Sequence, residues 1–183
     1  DAVSQEILNK EEIPFIQAQL EEICNHPQLQ ACFDDKGEIL IEQDLLIPEG
    51  VTLRPDRVLL LKDKAIIIDY KTGKVSEADA EINLKKSEEG FLGFDKAKHL
   101  VQLGMYSYMF FRNFGHYPAE VGLISLVNVG KGLIPLQDKN GDSLEMITDT
   151  FPGFMEALMN EMFDPTIPFT HTQRQFSYCK YCE

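Results

Sequence analysis

Hydrophobic positions change period several times along this chain. Over residues 4 to 25, SQEILNKEEIPFIQAQLEEICN, the residues Ile13, Ile16, Leu20 and Ile23 recur every three or four positions and predict a helix. Pro14 falls near the first turn of its second part, where a missing backbone N–H costs little. HPQLQACF predicts a short turn or helix, and EILIEQDLLIP alternates loosely like a strand, with Pro48 and Gly50 marking a turn. VTLRPDRVLLLK and KAIIIDYK, rich in aliphatic and β-branched residues, predict two further strands separated by so few residues that they form a hairpin. Residues 73 to 95 are heavily charged, contain Gly90 and Gly93, and predict a long exposed loop. Residues 96 to 114 are strongly helical and closed by Gly115. AEVGLISLVNVG and KGLIPLQ add two strands, NGDS a turn, and TDTFPGFMEALMNEMF a helix capped near Thr148 or Asp149. This order predicts a mixed α/β fold, with a central sheet flanked by helices.

The hairpin puts charge where a buried sheet has no use for it. With Lys62 and Asp63 as its loop residues, Leu61 stands opposite Lys64 and, counting back, Asp56 stands opposite Asp69. Directly opposed Cβ atoms are about 4.5–5.5 Å apart, and like charges there are destabilising. A slip of one residue leaves the two carboxylates diagonal and still close. Lys71 projects from the same face as Asp69, because side chains alternate along a strand. A divalent cation between the carboxylates resolves the repulsion, and Mg²⁺ characteristically takes one or two carboxylates together with water and substrate phosphate oxygens. The competing reading makes the three residues merely solvated at a strand end. Against it, the carboxylates interrupt apolar strands rather than flank them.

Composition narrows the field further. With 183 residues, 44% apolar and 26% charged, the chain suits one compact domain with a real core. The formal net charge of −13 argues against a non-specific polyanion binder, but not against a nucleic-acid enzyme whose positive charge comes from a metal or a neighbouring domain. No apolar run approaches the ~20 residues needed to cross a bilayer, and no secretory pattern opens the chain, so a soluble, cytoplasmic protein without a membrane partner is expected. The start without Met and the end on YCKYCE raise the expectation of a fragment of a longer protein. Cys24 and Cys32 lie among apolar residues and read as core, whereas Cys179 and Cys182 form a C-x-x-C pair suited to metal or cluster ligation.

RPD followed by IDYKTGK resembles the PD-(D/E)xK nuclease superfamily, and within it the branch of RecB- and AddB-type helicase-nuclease subunits. That branch also carries a Gln-x-x-x-Tyr element on the helix after its catalytic strands, matched here by Gln102 and Tyr106 in QLGMY, which share one helix face. The resemblance implies a restriction-endonuclease-like core and Mg²⁺-dependent DNA hydrolysis, with Mn²⁺ able to substitute. It implies that Asp56 and Asp69 hold the metal, that the Tyr70 carbonyl completes the site, and that Lys71 orients or activates the attacking water. Gln102 and Tyr106 would position water or the DNA backbone, and Glu42 matches an acidic residue often found on the first strand. Members of this branch also place a metal-binding His ahead of that strand. His26 is the candidate here, with a turn or capping role as its alternative and a ligand upstream of Asp1 as another.

IPFTHTQRQFSYCKYCE is similar to the lead into an iron–sulfur cysteine cluster in AddB-like proteins. By that likeness Cys179 and Cys182 are two ligands of a 4Fe–4S cluster whose other cysteines lie outside this chain. The implied partners are DNA and a helicase domain or subunit. The expected organisation is one nuclease-like domain over residues 1–183: a helical part over 1–35, the nuclease core over 38–165 and a cysteine-bearing tail over 166–183. A catalytically silent nuclease-like module that binds DNA or a helicase is the alternative. A structural metal domain built on the cysteines is disfavoured, because the chain has ample core without a staple.

Overall fold

A computed structural model describes residues 9–27, 29–33, 37–46, 50–82, 98–138 and 143–168. The expected tail cysteines Cys179 and Cys182, Gly90 and Gly93, and most of the NGDS turn lie outside these residues.

Helix α1 (Ile13–Asn25) begins with Pro14 in its first turn and ends at His26, while residues 9–12 of the predicted helix form a turn instead. Strand β1 (Glu38–Ile41) and the short β2 (Leu45–Leu46) replace the single strand predicted over this region. The break falls at Glu42, whose φ of 47° cannot continue an extended strand. β3 (Thr52–Leu53) pairs with β2 in a small separate sheet, and the chain then passes through Arg54 and the buried Pro55 into β4 (Arg57–Leu60). The predicted strand over VTLRPDRVLLLK is therefore two strands in two sheets, because proline has no N–H to give a ladder. β5 (Ala65–Lys71) is the longest strand.

After β5 the predicted loop is partly built. Residues Glu77–Asp79 form a 3₁₀ turn, β6 (Glu81–Ile82) follows, and Val75 and Ala80 are buried. Helix α2 (Lys98–Phe114) ends at Gly115, whose φ of 77° and N–H to the Phe111 carbonyl (2.8 Å) close it. β7 (Glu120–Ser125) is followed by β8 (Ile134–Pro135) and β9 (Gln137–Asp138), so KGLIPLQ also divides between two sheets. Helix α3 (Phe151–Phe163) has no cap at Thr148 or Asp149. A π-helical turn over Met146–Thr150 runs straight into it, and Thr148 Oγ1 donates back to the Leu144 carbonyl (3.0 Å).

The main sheet has the order β1-β4-β5-β7-β8, antiparallel except for the parallel pair β5–β7. Its two faces carry different cores. Val58, Ala65, Ile67, Val121 and Leu123 pack under α2 with Leu103, Tyr106 and Phe110. Leu59, Ile66, Ile68 and Ile124 pack on the other face with Ile23 of α1, Leu29 and Cys32. The outcome is the expected restriction-endonuclease-like architecture: a mixed five-stranded sheet between helices. Among the described residues no helix is long and apolar enough to cross a membrane.

Candidate active site

The predicted hairpin register holds. Leu61 N–H bonds to the Lys64 carbonyl at 2.8 Å, and Arg57 stands opposite Ile68, so the count brings Asp56 beside Asp69 one residue before the start of β4. There the ladder gives way to side-chain chemistry. Asp56 Oδ2 accepts the Tyr70 backbone N–H at 2.7 Å, the bond a paired strand residue would otherwise make. N–H and C=O of one strand residue point to the same side, so the Tyr70 carbonyl faces the same gap. The Tyr70 side chain belongs to the opposite face, where burial pushes its phenol up and the Arg57 charge partly opposes the shift.

Asp69 is only 2% exposed, so its carboxylate has to be matched by the protein. Oδ1 accepts from Gln102 Nε2 at 2.9 Å and from the Tyr106 hydroxyl at 3.3 Å. The Lys71 ammonium lies 2.5 Å from Oδ2 as an ion pair, without the angles of a hydrogen bond, so this buried oxygen has charge compensation but no directed donor. Gln102 ties the group together: its Oε1 accepts from Lys71 Nζ at 2.8 Å while its Nε2 also reaches the Tyr106 hydroxyl at 2.8 Å. A cation on one side and a carboxylate on the other fix which way the amide points. Burial, and next to it the Asp69 charge, holds the Tyr106 phenol up at about 12 against the pull of its Gln102 hydrogen bond, so it stays a neutral donor.

The parallel pairing of β5 with β7 brings in residues that the sequence reading missed. Ser125 Oγ donates to the Gly73 carbonyl at 2.8 Å, and Asn128 clamps Val75 through both its backbone N–H (3.2 Å) and its carbonyl (2.9 Å). These bonds hold the DYKTGK segment immediately after Lys71. The available signal was a polar pair, Ser125 and Asn128, ending an apolar strand; parallel pairing places such an end beside the end of β5, where ligands of α/β sheets gather.

Glu42 stands at the rim: its N–H bonds to the Asp56 carbonyl at 3.1 Å, while its side chain is exposed. Backbone in the left-handed region is uncommon outside glycine and clusters at functional sites. His26 caps the C-terminal end of α1, and its flanking Ile23 and Leu29 pack on the face opposite Asp69. Among the described residues no three His, Cys, Asp or Glu side chains converge into a metal cage. The donors that the register sets at this end of the sheet, Asp56, Asp69 Oδ2 and the Tyr70 carbonyl, are all oxygens, and one is buried without a hydrogen-bond donor. This set fits a hard divalent cation that keeps part of its hydration.

A family model described as the PD-(D/E)XK nuclease superfamily matches residues 1–183. No curated protein matches the chain. With the sheet, the carboxylate pair and the lysine two residues beyond the second carboxylate all in place, the chain belongs to the PD-(D/E)XK nuclease superfamily.

Proposed function

We propose that this chain is the metal-dependent DNA nuclease domain of a RecB/AddB-type helicase-nuclease, an exonuclease acting in DNA repair and recombination, with Asp56, Asp69, Lys71, Gln102 and Tyr106 as its working residues. The observation that carries this reading is the closed network in which Gln102 bridges Lys71 and Asp69. A structural ion pair needs no such bridge, whereas a lysine that must present one N–H in a fixed direction does. Of its three N–H donors one is directed at Gln102 Oε1, while the contact with Asp69 Oδ2 is an undirected ion pair, so N–H donors remain for water or a phosphate oxygen. Asp56, Asp69 and the Tyr70 carbonyl would hold Mg²⁺ or Mn²⁺, with Glu42 at the rim; the ion would supply electrostatic stabilisation of the attacking and leaving oxygens. Lys71 orients the attacking water and offsets charge on the scissile phosphate. Tyr106, kept protonated, donates to Asp69 and so fixes the direction in which that carboxylate points.

The helicase partner, the 4Fe–4S cluster on Cys179 and Cys182 and the division into parts over 1–35, 38–165 and 166–183 belong to the same reading, with His26 in its capping role rather than as a ligand. They rest on resemblance to that branch. Asp69→Ala and Lys71→Ala are expected to abolish Mg²⁺-dependent DNA cleavage with the fold intact by circular dichroism. Near-normal cleavage by both variants would sink the assignment. Tight DNA binding without cleavage by the wild type in either metal would identify a silent binding module instead.

A further inference from the structure

Arg57 follows Asp56 directly, yet alternation puts it on the opposite face of the sheet, at the same end of the strands as the candidate active site. Its guanidinium lies 5.2 Å from the centroid of the Phe33 ring, and its Nε is buried without a hydrogen-bond partner. Three other cations of this acidic chain have carboxylates: Arg54 has Asp44 at 2.7 Å, Lys64 has Glu120 at 3.3 Å and Lys131 has Glu77 at 3.5 Å. Among the described residues Arg57 has none. A half-buried charge without an anion is unfavourable, and stacking on one ring compensates only part of the cost. With Nε shut off from solvent, the terminal N–H groups of the planar guanidinium are the ones left to meet a phosphate. Ile41, directly opposite on β1, is 68% exposed, so this corner opens to solvent at the sheet edge.

We propose that Arg57 binds a backbone phosphate of the DNA strand, displaced from the phosphate cut beside Asp69, so that the strand crosses the end of the sheet from one face to the other. This rests on the nuclease reading and adds to it a second contact, without which the net charge of −13 would leave DNA weakly held. The ligand is the phosphodiester itself, so the contact is independent of base sequence.

The test compares the wild type with Arg57→Gln, Arg57→Lys and Phe33→Leu, using a short labelled oligonucleotide with Ca²⁺ for binding and Mg²⁺ for cleavage. Arg57→Gln should weaken binding about tenfold, the size of one charge-assisted contact, and raise KM with kcat nearly unchanged. The slope of log affinity against log salt should become shallower by about 0.7 for a single strand and 0.9 for a duplex. Arg57→Lys should keep the wild-type slope because the charge remains. Phe33→Leu should keep that slope too, since it removes packing and no charge, and so it separates loss of stability from loss of the contact. If the wild type cleaves and Arg57→Gln retains its KM and salt slope, Arg57 is a packing residue and the proposal fails. Absence of cleavage and binding in the wild type itself would instead overturn the nuclease reading and this contact with it.

Discussion

Removing the Gln102 side chain separates what the network contributes to the fold from what it contributes to chemistry. Gln102→Ala deletes bonds of 2.8 Å from Lys71, 2.9 Å to Asp69 and 2.8 Å to Tyr106. Two of these involve charges and would each be worth about 1.5–3 kcal/mol if their partners were stranded. They are not stranded: Asp69 keeps Lys71 and Tyr106, and water can enter at the half-buried Gln102 position. The loss of stability should therefore be about 1–2 kcal/mol, offset by a few tenths from the better helix propensity of alanine. For a domain of this size that is a fall in Tm of about 2–6 °C.

The chemical effect should be larger. Without its acceptor on Gln102, the Lys71 ammonium can rotate away from the attack direction, and a misplacement of that kind costs about 10²-fold in kcat, or about 2.7 kcal/mol. The assay is steady-state cleavage of labelled DNA in Mg²⁺, paired with thermal melting in EDTA. A kcat within about twofold of wild type beside the expected drop in Tm would show that Gln102 only packs α2 against β5, and would refute the orienting role.

Three further outcomes are expected. Opposed carboxylates alone would make Asp56→Asn stabilising in EDTA, but Asp56 holds the Tyr70 N–H at 2.7 Å and Asp69 is compensated by Lys71, so a loss of about 1 kcal/mol is expected; a rise in Tm would mean that carboxylate repulsion outweighs the bond to Tyr70. A Cβ on Gly104 would overlap atoms of the buried Phe151 ring, so Gly104→Ala should destabilise by about 1–3 kcal/mol despite its helix propensity, as read from urea unfolding; unchanged stability would mean the ring swings aside freely. Burial holds the Cys32 thiol near 11 against an ordinary 9.0, and burial with Asp69 holds the Tyr106 phenol near 12 against 10.0. Both groups stay neutral when folded and ionise sooner when unfolded, so their stabilisation is complete below pH 9 and is lost as pH rises through 9 to 12. Cys32→Ala with Tyr106→Phe should flatten the alkaline limb of stability against pH, and an equally steep limb would refute the attribution.

Local rules were enough for the chemistry carried by neighbours in sequence. The few residues between two apolar runs set the hairpin register, the register set Asp56 beside Asp69, and alternation set Lys71 on the Asp69 face. Helical spacing likewise put Gln102 and Tyr106 on one stripe of α2, and Gly115 closed that helix. The sequence could not say that this stripe docks on Asp69, because that contact spans more than thirty residues and depends on the layer of Leu103, Tyr106 and Phe110 under the sheet. The parallel partner of β5 was equally hidden, and with it the Ser125 and Asn128 clamp on the segment after Lys71. The broken strands at Glu42 and Pro55 follow from the same cause. Apolar runs report that a segment is buried, but where it bends and which sheet it joins is decided by the backbone partners it meets once the chain has closed.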